Sequence, residues 1–333
     1  MSAGIMEFDI GYVNGTTWHG LPQYITLDRP PTADEARKVM CFEIEKQQLY
    51  RMLPDQEDEL NVDTEPVEAW CIVRKDTDSV LVDHVGARFV AQDNKFLFDY
   101  INENLLAEYP DLEIESVGTL WNGATVFLNL KVAEFQIRGD ESKQISRMFF
   151  CNPLGRGAYK AGGHNIRIVC SNTLGFAAGQ AAANKTLKKF RHTSTAAEKI
   201  NGHLDTIAEF RMGLQRHVYE LDALTSVKVN SQFLDQFLDA MFPVPVAKDE
   251  GSSRGVTIAK DKRAQVTANF ESDQALDGKT GRSAYALLQA TTNYIDNQSS
   301  IRGGDKGSRW IDSVDGNRAA QKVTAFDWLM TKV

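Results

Sequence analysis

The sequence lacks any long run of apolar residues, and this absence limits where the protein can reside. No stretch approaches the roughly 20 consecutive apolar residues that a membrane-spanning helix requires. The N-terminal residues also lack a basic segment followed by an apolar run, which a secretory signal would contain. We therefore expect a protein without a membrane partner that works in the cytoplasm.

Cysteine is scarce, and its spacing suggests no metal site. Cys41, Cys71, Cys151 and Cys170 form no C-x-x-C pair and lie too far apart for a zinc ribbon or a disulfide framework. The six histidines show no H-E-x-x-H or comparable spacing. We therefore expect reduced, mostly buried thiols, with no metal, no other cofactor and no assignable catalytic residue.

Acidic residues are absent from one segment of an otherwise acidic chain. The formal net charge is −8, which alone argues against nucleic acid as a partner. Residues 1–142, however, carry 11 basic and 27 acidic side chains, and residues 193–333 carry 17 and 18. Residues 143–192 carry nine basic side chains and no acid. This segment, called the basic segment below, is suited to holding a polyanion.

Strand and helix signals together predict an α+β fold. Asn122-Gly123 lies between two alternating apolar stretches and predicts a β-hairpin. Thr32 followed by Glu35 is a capping-box pattern that predicts a helix start. Five segments after this helix show helical spacing: 94–109, 174–190, 195–224, 279–296 and 317–330. We expect an antiparallel sheet with hairpins, packed by helices on one side, and a C-terminal helical segment.

Proline and glycine positions predict the domain organisation. Pro243 and Pro245, followed by the glycine-serine run near residue 251, are typical of a linker. We therefore predict an α+β core domain with an N-terminal arm over residues 1–240, a linker over 241–278 and a helical segment over 279–333. Residues 152–163 are rich in glycine and predict a basic loop between two strands.

Several motifs resemble a known family. They are Trp18-His19-Gly20, Arg167-Ile168-Val169-Cys170-Ser171-Asn172-Thr173-Leu174, Arg191-His192-Thr193, Ala284-Tyr285 and Thr291-Thr292-Asn293-Tyr294-Ile295-Asp296. In this order they resemble the phage/plasmid-like domain-of-unknown-function family 932 over essentially the full chain. The resemblance implies a mobile-element origin, and hence the host cytoplasm for a phage protein, but no established activity. The predicted hairpins followed by a long helix are also similar to single-strand annealing proteins of the Red-beta and RecT type.

The basic segment supplies the candidate binding residues. Lysine and arginine would neutralise phosphates, glycines would allow close approach, and Tyr159, Phe149 or Phe150 would stack on bases. Asn172 would cap a helix and leave backbone N–H groups for an anion. The predicted nucleic-acid-binding residues are Lys143, Arg147, Arg156, Tyr159, Lys160, Arg167, Asn172, Lys185, Lys188, Lys189, Arg191 and His192.

Each of these features also has a plainer interpretation, so more than one function remains open. The basic residues could form an ordinary solvated face, and Trp18 could anchor the N-terminal arm. The preferred hypothesis is a single-stranded DNA-binding, strand-annealing protein that works as a homo-oligomer. The alternatives are a nucleic-acid-modifying enzyme such as a nuclease, acting through residues 167–173, and a partner-binding protein that modulates host replication or defence.

Overall fold

Strands dominate the chain up to residue 190 and helices dominate it afterwards in the computed structural model of the protein. This confirms the α+β class. The structure describes residues 10–14, 25–53, 63–90, 93–140, 143–154, 157–167, 172–175, 188–201, 206–246, 254–272, 281–300, 312–313 and 316–333. None of the helices in these ranges is long and apolar enough to cross a membrane.

The part of the chain that the structure describes contains eleven strands, which form two sheets. The larger sheet has the order β10-β9-β8-β7-β6-β1-β2, with β11 also paired to β9, and the smaller sheet has the order β3-β4-β5. Among the pairs whose register is defined, only β1 and β2 are parallel. The strands are β1 Gly11–Asn14, β2 Ile25–Leu27, β3 Ile44–Met52, β4 Thr64–Arg74, β5 Ser79–Val85, β6 Glu113–Leu120, β7 Thr125–Gln136, β8 Lys143–Pro153, β9 Tyr159–Arg167, β10 Asn172–Gly175 and β11 Lys188–Phe190.

Eight α-helices are described, and two of them continue into a π-helical turn. A π-turn follows α2 at Ile101–Leu106, and another follows α7 at Tyr294–Gln298. The helices are α1 Ala33–Met40, α2 Lys95–Tyr100, α3 Ala196–Asn201, α4 Thr206–Ser226, α5 Ser231–Met241, α6 Arg254–Glu271, α7 Ala284–Asn293 and α8 Asn317–Met330.

The chain divides into two compact units, each built from three separate segments. The first comprises Met1–Leu130, Phe149–Ala161 and Lys188–Leu204, and the second comprises Lys131–Met148, Gly162–Leu187 and Asp205–Val333. The predicted linker, residues 241–278, contains the 18-residue helix α6. The prolines end α5, but Val266 and Phe270 of α6 are buried in the apolar core of the second unit, so α6 is part of that core.

The predicted turn at Asn122-Gly123 joins β6 to β7, as expected. Trp121 and Asn122 both adopt positive φ angles, 55° and 59°, and Gly123 follows at 101°. A Cβ atom on Gly123 would lie 2.7 Å from the ring of Phe42, so this position also requires the absence of a side chain. Arg74 lies 4.0 Å from the centre of the Phe42 ring and donates a hydrogen bond to the Asn122 carbonyl. The turn is therefore packed into the first unit.

Two helix starts follow directly from local sequence. The hydroxyl of Thr32 accepts from the Glu35 backbone N–H at 3.2 Å, while the Glu35 carboxylate accepts from the Thr32 N–H at 2.7 Å, which is the predicted capping box. Ser283 caps α7 by accepting from the Ala286 N–H at 3.2 Å. The capping and helical patterns therefore predicted these elements correctly.

Two elements of the basic segment differ from the prediction. Strand β8 extends to Pro153 and β9 begins at Tyr159, so the connection is shorter than the predicted glycine-rich loop over 152–163. The described parts of residues 174–190 are the end of β10 and the strand β11, where a helix was predicted. Asn172 lies in β10, and its predicted helix-capping role is wrong because a strand follows it.

The second unit has an apolar core that encloses polar groups. Its buried residues include Phe237, Leu288 and Phe326 from three different helices. Within it, the Tyr285 hydroxyl donates to the Asp140 carboxylate at 2.7 Å and accepts from the Gln144 amide at 2.5 Å. These hydrogen bonds satisfy groups that would otherwise be costly to bury.

Candidate nucleic-acid interface

A cross-strand pair of lysines lies in the first unit, where β11 pairs antiparallel with the start of β9. Lys189 lies opposite Lys160, and Phe190 lies opposite Tyr159. Side chains alternate between the two faces of a strand, so the two lysines share one face and the two aromatic residues share the other. Tyr159 and Phe190 are buried, whereas Lys160 is half-buried and Lys189 is exposed.

Two like charges directly opposite each other have an energetic consequence. Facing Cβ atoms on an antiparallel pair lie about 4.5–5.5 Å apart, and like charges in this position are destabilising. Lys160 and Lys189 each make a further interaction within the protein, and a phosphate between them would add to those interactions. Lys188 and Arg191 flank Lys189 in sequence and extend the positive charge along the same stretch. We call Lys160, Lys188, Lys189 and Arg191 the lysine edge.

An open cleft of about 520 Å³ lies in the same unit and includes one end of the lysine edge. Its walls include His84, Gly86, Phe89, Gly157, Arg191 and His192. Gly157 has a φ of 146°, which side-chain-bearing residues rarely adopt. A Cβ atom on Gly86 would meet nothing within 4 Å, so the backbone itself is accessible there.

His192 is the polar residue most deeply buried in the cleft wall. It is 7% exposed, and its ring stacks on Phe89 at 5.2 Å and lies 4.1 Å from the ring of Tyr159. Neither ring nitrogen makes a well-formed hydrogen bond with any described residue. Burial lowers the pKa of His192 to about 4, although the nearby carbonyls of Pro153 and Gly157 favour the charged form. The imidazole is therefore neutral at pH 7.

Hydrogen bonds from Lys46 hold one wall of the cleft in place. Lys46 donates from its ammonium group to the carbonyls of Gly86, Ala87 and Phe89 at 3.1, 2.8 and 2.9 Å, which fixes the segment after β5. These residues form a turn after β5 and do not continue the strand. One cation thus replaces strand pairing for these carbonyls.

The predicted stacking residues do not present their rings to solvent. Phe149 and Phe150 are 2% and 3% exposed, and Tyr159 is 1% exposed. Tyr159 also packs edge-on against Phe96 at 5.2 Å, and burial raises the pKa of its hydroxyl above the usual range. The rings of these three residues already contact protein. This burial corrects the prediction that they stack on bases.

Two further predicted residues, Lys143 and Arg147, lie in the second unit and do not join the lysine edge. Lys143 is exposed and forms an ion pair with Glu134 at 3.0 Å, so an acid from outside the basic segment neutralises it. Arg147 is partly buried, and burial lowers the pKa of its guanidinium to about 9, which leaves it charged at pH 7.

Some predicted residues lie outside the described residues, and for others only the backbone is described. Arg156 and Lys185 lie outside the described residues, as do Trp18, Cys170 and most of the N-terminal arm. Arg167 and Asn172 are paired through their backbones in β9 and β10, with no side chain described. Of the predicted set, the structure brings together Tyr159, Lys160, Lys188, Lys189, Arg191 and His192.

Sequence reasoning missed the contributions of His84, Gly86 and Phe89, which come from the end of β5 and the residues after it. Their only local signal was the glycine that follows an alternating stretch.

Burial raises the pKa of Cys41 to about 11, which agrees with a structural thiol. Within the described residues, no three His, Cys, Asp or Glu side chains converge in a way that could hold a metal ion.

Comparison with known families gives one match. A model of the family described as Domain of unknown function (DUF932) matches residues 82–321, which is well over half of the chain. The chain belongs to the DUF932 family. The matched region of this DUF932 protein includes the lysine edge and the cleft. No curated protein and no solved structure matches the chain.

Proposed function

We propose that this DUF932 protein binds single-stranded DNA through the sugar-phosphate backbone and, as an assembly of several copies, anneals complementary strands. The observation that carries the proposal is the cross-strand pair Lys160–Lys189 within a segment that contains no acid. Phosphate contacts dominate the affinity of nucleic-acid binding, and they require clustered cations more than any particular fold.

The charge distribution supports a local rather than a global attraction. The chain as a whole carries −8, with the excess of acid in residues 1–142, so a strand is attracted to the lysine edge more than to the acidic N-terminal part of the chain. Such an attraction favours binding that depends little on base sequence, because phosphates carry no sequence information.

The state of the aromatic residues favours backbone contacts over base stacking. Proteins that bind single strands commonly combine a basic groove with exposed aromatic rings. Here Tyr159, Phe149 and Phe150 are buried, so the lysine edge is the part of the site that remains for a long strand. We therefore expect modest affinity for one protomer and a strong dependence on salt.

The test is binding of a fluorescent 40-nucleotide oligothymidylate by anisotropy at several salt concentrations. The wild type should bind at about 50 mM salt and release the strand as salt rises. The variant Lys160→Gln/Lys189→Gln should bind more weakly, and the slope of log K against log[salt] should fall by about 1.4, or 0.7 for each lost contact.

A matched control removes the same charge elsewhere in the first unit. Arg37→Gln/Lys38→Gln changes two exposed basic residues of α1 and leaves the lysine edge intact. It should leave the salt slope at the wild-type value. Equal slopes for both double variants would locate the strand away from the lysine edge, and an absence of wild-type binding at low salt would end the proposal.

Annealing is tested separately with two complementary labelled strands. A basic path of this size covers only about 4–16 nucleotides in other single-strand modules, so bringing two long strands together requires protomers side by side. We expect accelerated annealing with a steep dependence on protein concentration and an oligomer on the strand in mass photometry. A strict monomer that binds DNA without accelerating annealing would reduce the function to strand binding.

A further inference from the structure

The cleft beside the lysine edge has features that a sugar-phosphate backbone alone does not need. Its volume of about 520 Å³ lies within the range of about 300–1,000 Å³ typical of small-molecule sites. Its walls combine an exposed cation, a partly exposed aromatic ring and a buried neutral imidazole, supplied by Arg191, Phe89 and His192. These three chemistries lie around one opening.

Each wall group selects for a different part of a ligand. The Arg191 guanidinium forms no ion pair with any described residue, and its planar fork suits the oxygens of a phosphate. The neutral His192 ring offers one N–H donor and one acceptor nitrogen, and neither has a well-formed partner among the described residues. A buried polar group without a partner is costly, so a ligand that satisfies it gains affinity.

The remaining wall is suited to a flat, apolar group. The partly exposed Phe89 lines the cleft together with two exposed glycines, Gly86 and Gly157. A nucleobase has flat apolar faces and a polar edge with donors and acceptors. A phosphate, a flat ring and a polar edge in one small molecule are the features of a nucleotide.

We propose that this cleft binds a single nucleoside monophosphate, with the phosphate on Arg191 and the base beside the stacked Phe89 and His192 rings, its polar edge toward the His192 nitrogens. The choice of nucleotide chemistry rests on the proposed function, but strand binding and nucleotide binding fail in separate assays. The same chemistry occurs in a free nucleotide and at the 5′-phosphorylated end of a strand.

The first experiment measures binding of deoxyadenosine monophosphate, deoxyadenosine and inorganic phosphate to the full chain by calorimetry at pH 7. We expect the nucleotide to bind at least about tenfold more tightly than either fragment, since a charge-assisted hydrogen bond and a satisfied buried group act together. Equal binding of phosphate and nucleotide would overturn the assignment, because the site would then recognise only an anion. An absence of nucleotide binding at millimolar concentration would also overturn it.

The decisive variant is Gly86→Leu. A Cβ atom at Gly86 meets open space, so the leucine should fill the cleft without strain and abolish nucleotide binding while the melting temperature is unchanged. Its control is Ala87→Leu, which adds similar bulk at the next, exposed position that does not line the cleft. Retained binding in Gly86→Leu would show that the nucleotide lies elsewhere.

A second variant distinguishes the contribution of the phosphate to binding from the contribution of the base. Arg191→Gln should lower the affinity for the nucleotide to that for the nucleoside and leave the nucleoside affinity unchanged. Loss of both to the same degree would contradict the assigned orientation. Arg37→Gln, at an exposed helical arginine, should change neither affinity.

The source of the nucleotide is found with two decathymidylates, one with a 5′-phosphate and one with a 5′-hydroxyl. Tighter binding of the phosphorylated strand, lost in Gly86→Leu but kept in Lys160→Gln/Lys189→Gln, supports the proposal with a strand end as the ligand. Binding of the free nucleotide without any preference between the strands supports it with a free nucleotide as the ligand. Strand binding that Gly86→Leu leaves unchanged, together with no nucleotide binding, overturns this inference and leaves the proposed function standing.

Discussion

Replacing His192 with phenylalanine should make the protein less sensitive to mild acid. His192 is buried between Phe89 and Tyr159, and burial lowers its pKa from 6.5 to about 4. In the unfolded chain the same imidazole titrates near its ordinary value. Between pH 6.5 and pH 4 the unfolded state therefore binds a proton that the folded state does not, and stability falls as the pH falls.

The size of the effect follows from the two pKa values. The folded state loses about 2 kcal/mol between pH 7 and pH 5, and about 3 kcal/mol once the pH lies below the folded pKa. The variant His192→Phe keeps a ring of similar size between Phe89 and Tyr159 but has no proton to bind. At pH 7 its stability should equal or slightly exceed that of the wild type, because it buries no polar nitrogen.

The assay is urea unfolding of both proteins at pH 7 and pH 5, monitored by a signal that reports on the first unit. The two proteins differ only at residue 192, so the comparison isolates the contribution of that side chain. The difference in the free energy of unfolding between wild type and variant should change by about 2 kcal/mol between the two pH values. Parallel losses in the two proteins would refute the reasoning, because His192 would then be accessible to protons in the folded state.

Three further changes test the packing by denaturant unfolding. Lys322→Met leaves the buried Asp296 carboxylate without the ammonium now at 2.9 Å, so it should cost about 3–5 kcal/mol, and adding Asp296→Leu should restore most of that loss. Gly163→Ala places a Cβ atom 1.6 Å from the Phe210 ring and should cost about 1–3 kcal/mol; an unchanged midpoint would mean that the ring has room to move. Thr32→Ala removes the cap of α1 and should cost about 1 kcal/mol, and a loss below the error of the measurement would show that the remaining contacts hold the helix start.

The sequence predicted best those elements whose signals are local. The capping box at Thr32, the turn at Asn122 and the helix α8 at Asn317–Met330 each depend on neighbouring residues, and all are present. The helix predicted over 174–190 failed where it is described. A short strand such as Lys188–Phe190 has too few residues to show alternation, and its pairing with β9 decides its conformation.

The basic segment can be recognised from the sequence alone. Which of its residues lie together in space cannot. Lys143 and Lys160 look alike in sequence, yet Lys143 faces Glu134 and Lys160 faces Lys189. Which partner a lysine meets depends on strand register, and register depends on which face of each strand is buried. The acid-free segment thus indicated that a basic surface exists but not which of its nine basic residues form it.

The cleft shows the same dependence on long-range pairing in a stronger form. His84 lies at the end of β5 and Phe89 follows that strand, while Arg191 and His192 follow β11, about a hundred residues later in the chain. Phe190 pairs with Tyr159, and this register sets His192, two residues on, against the Tyr159 ring. A one-residue slip of β11 would move Phe190 to the lysine face and expose it, at a cost of about 1.5–3 kcal/mol for that side chain alone. The burial of Phe190 and Tyr159 therefore holds both Lys189 and His192 in place, and the lysine edge and the cleft depend on the same strand pairing.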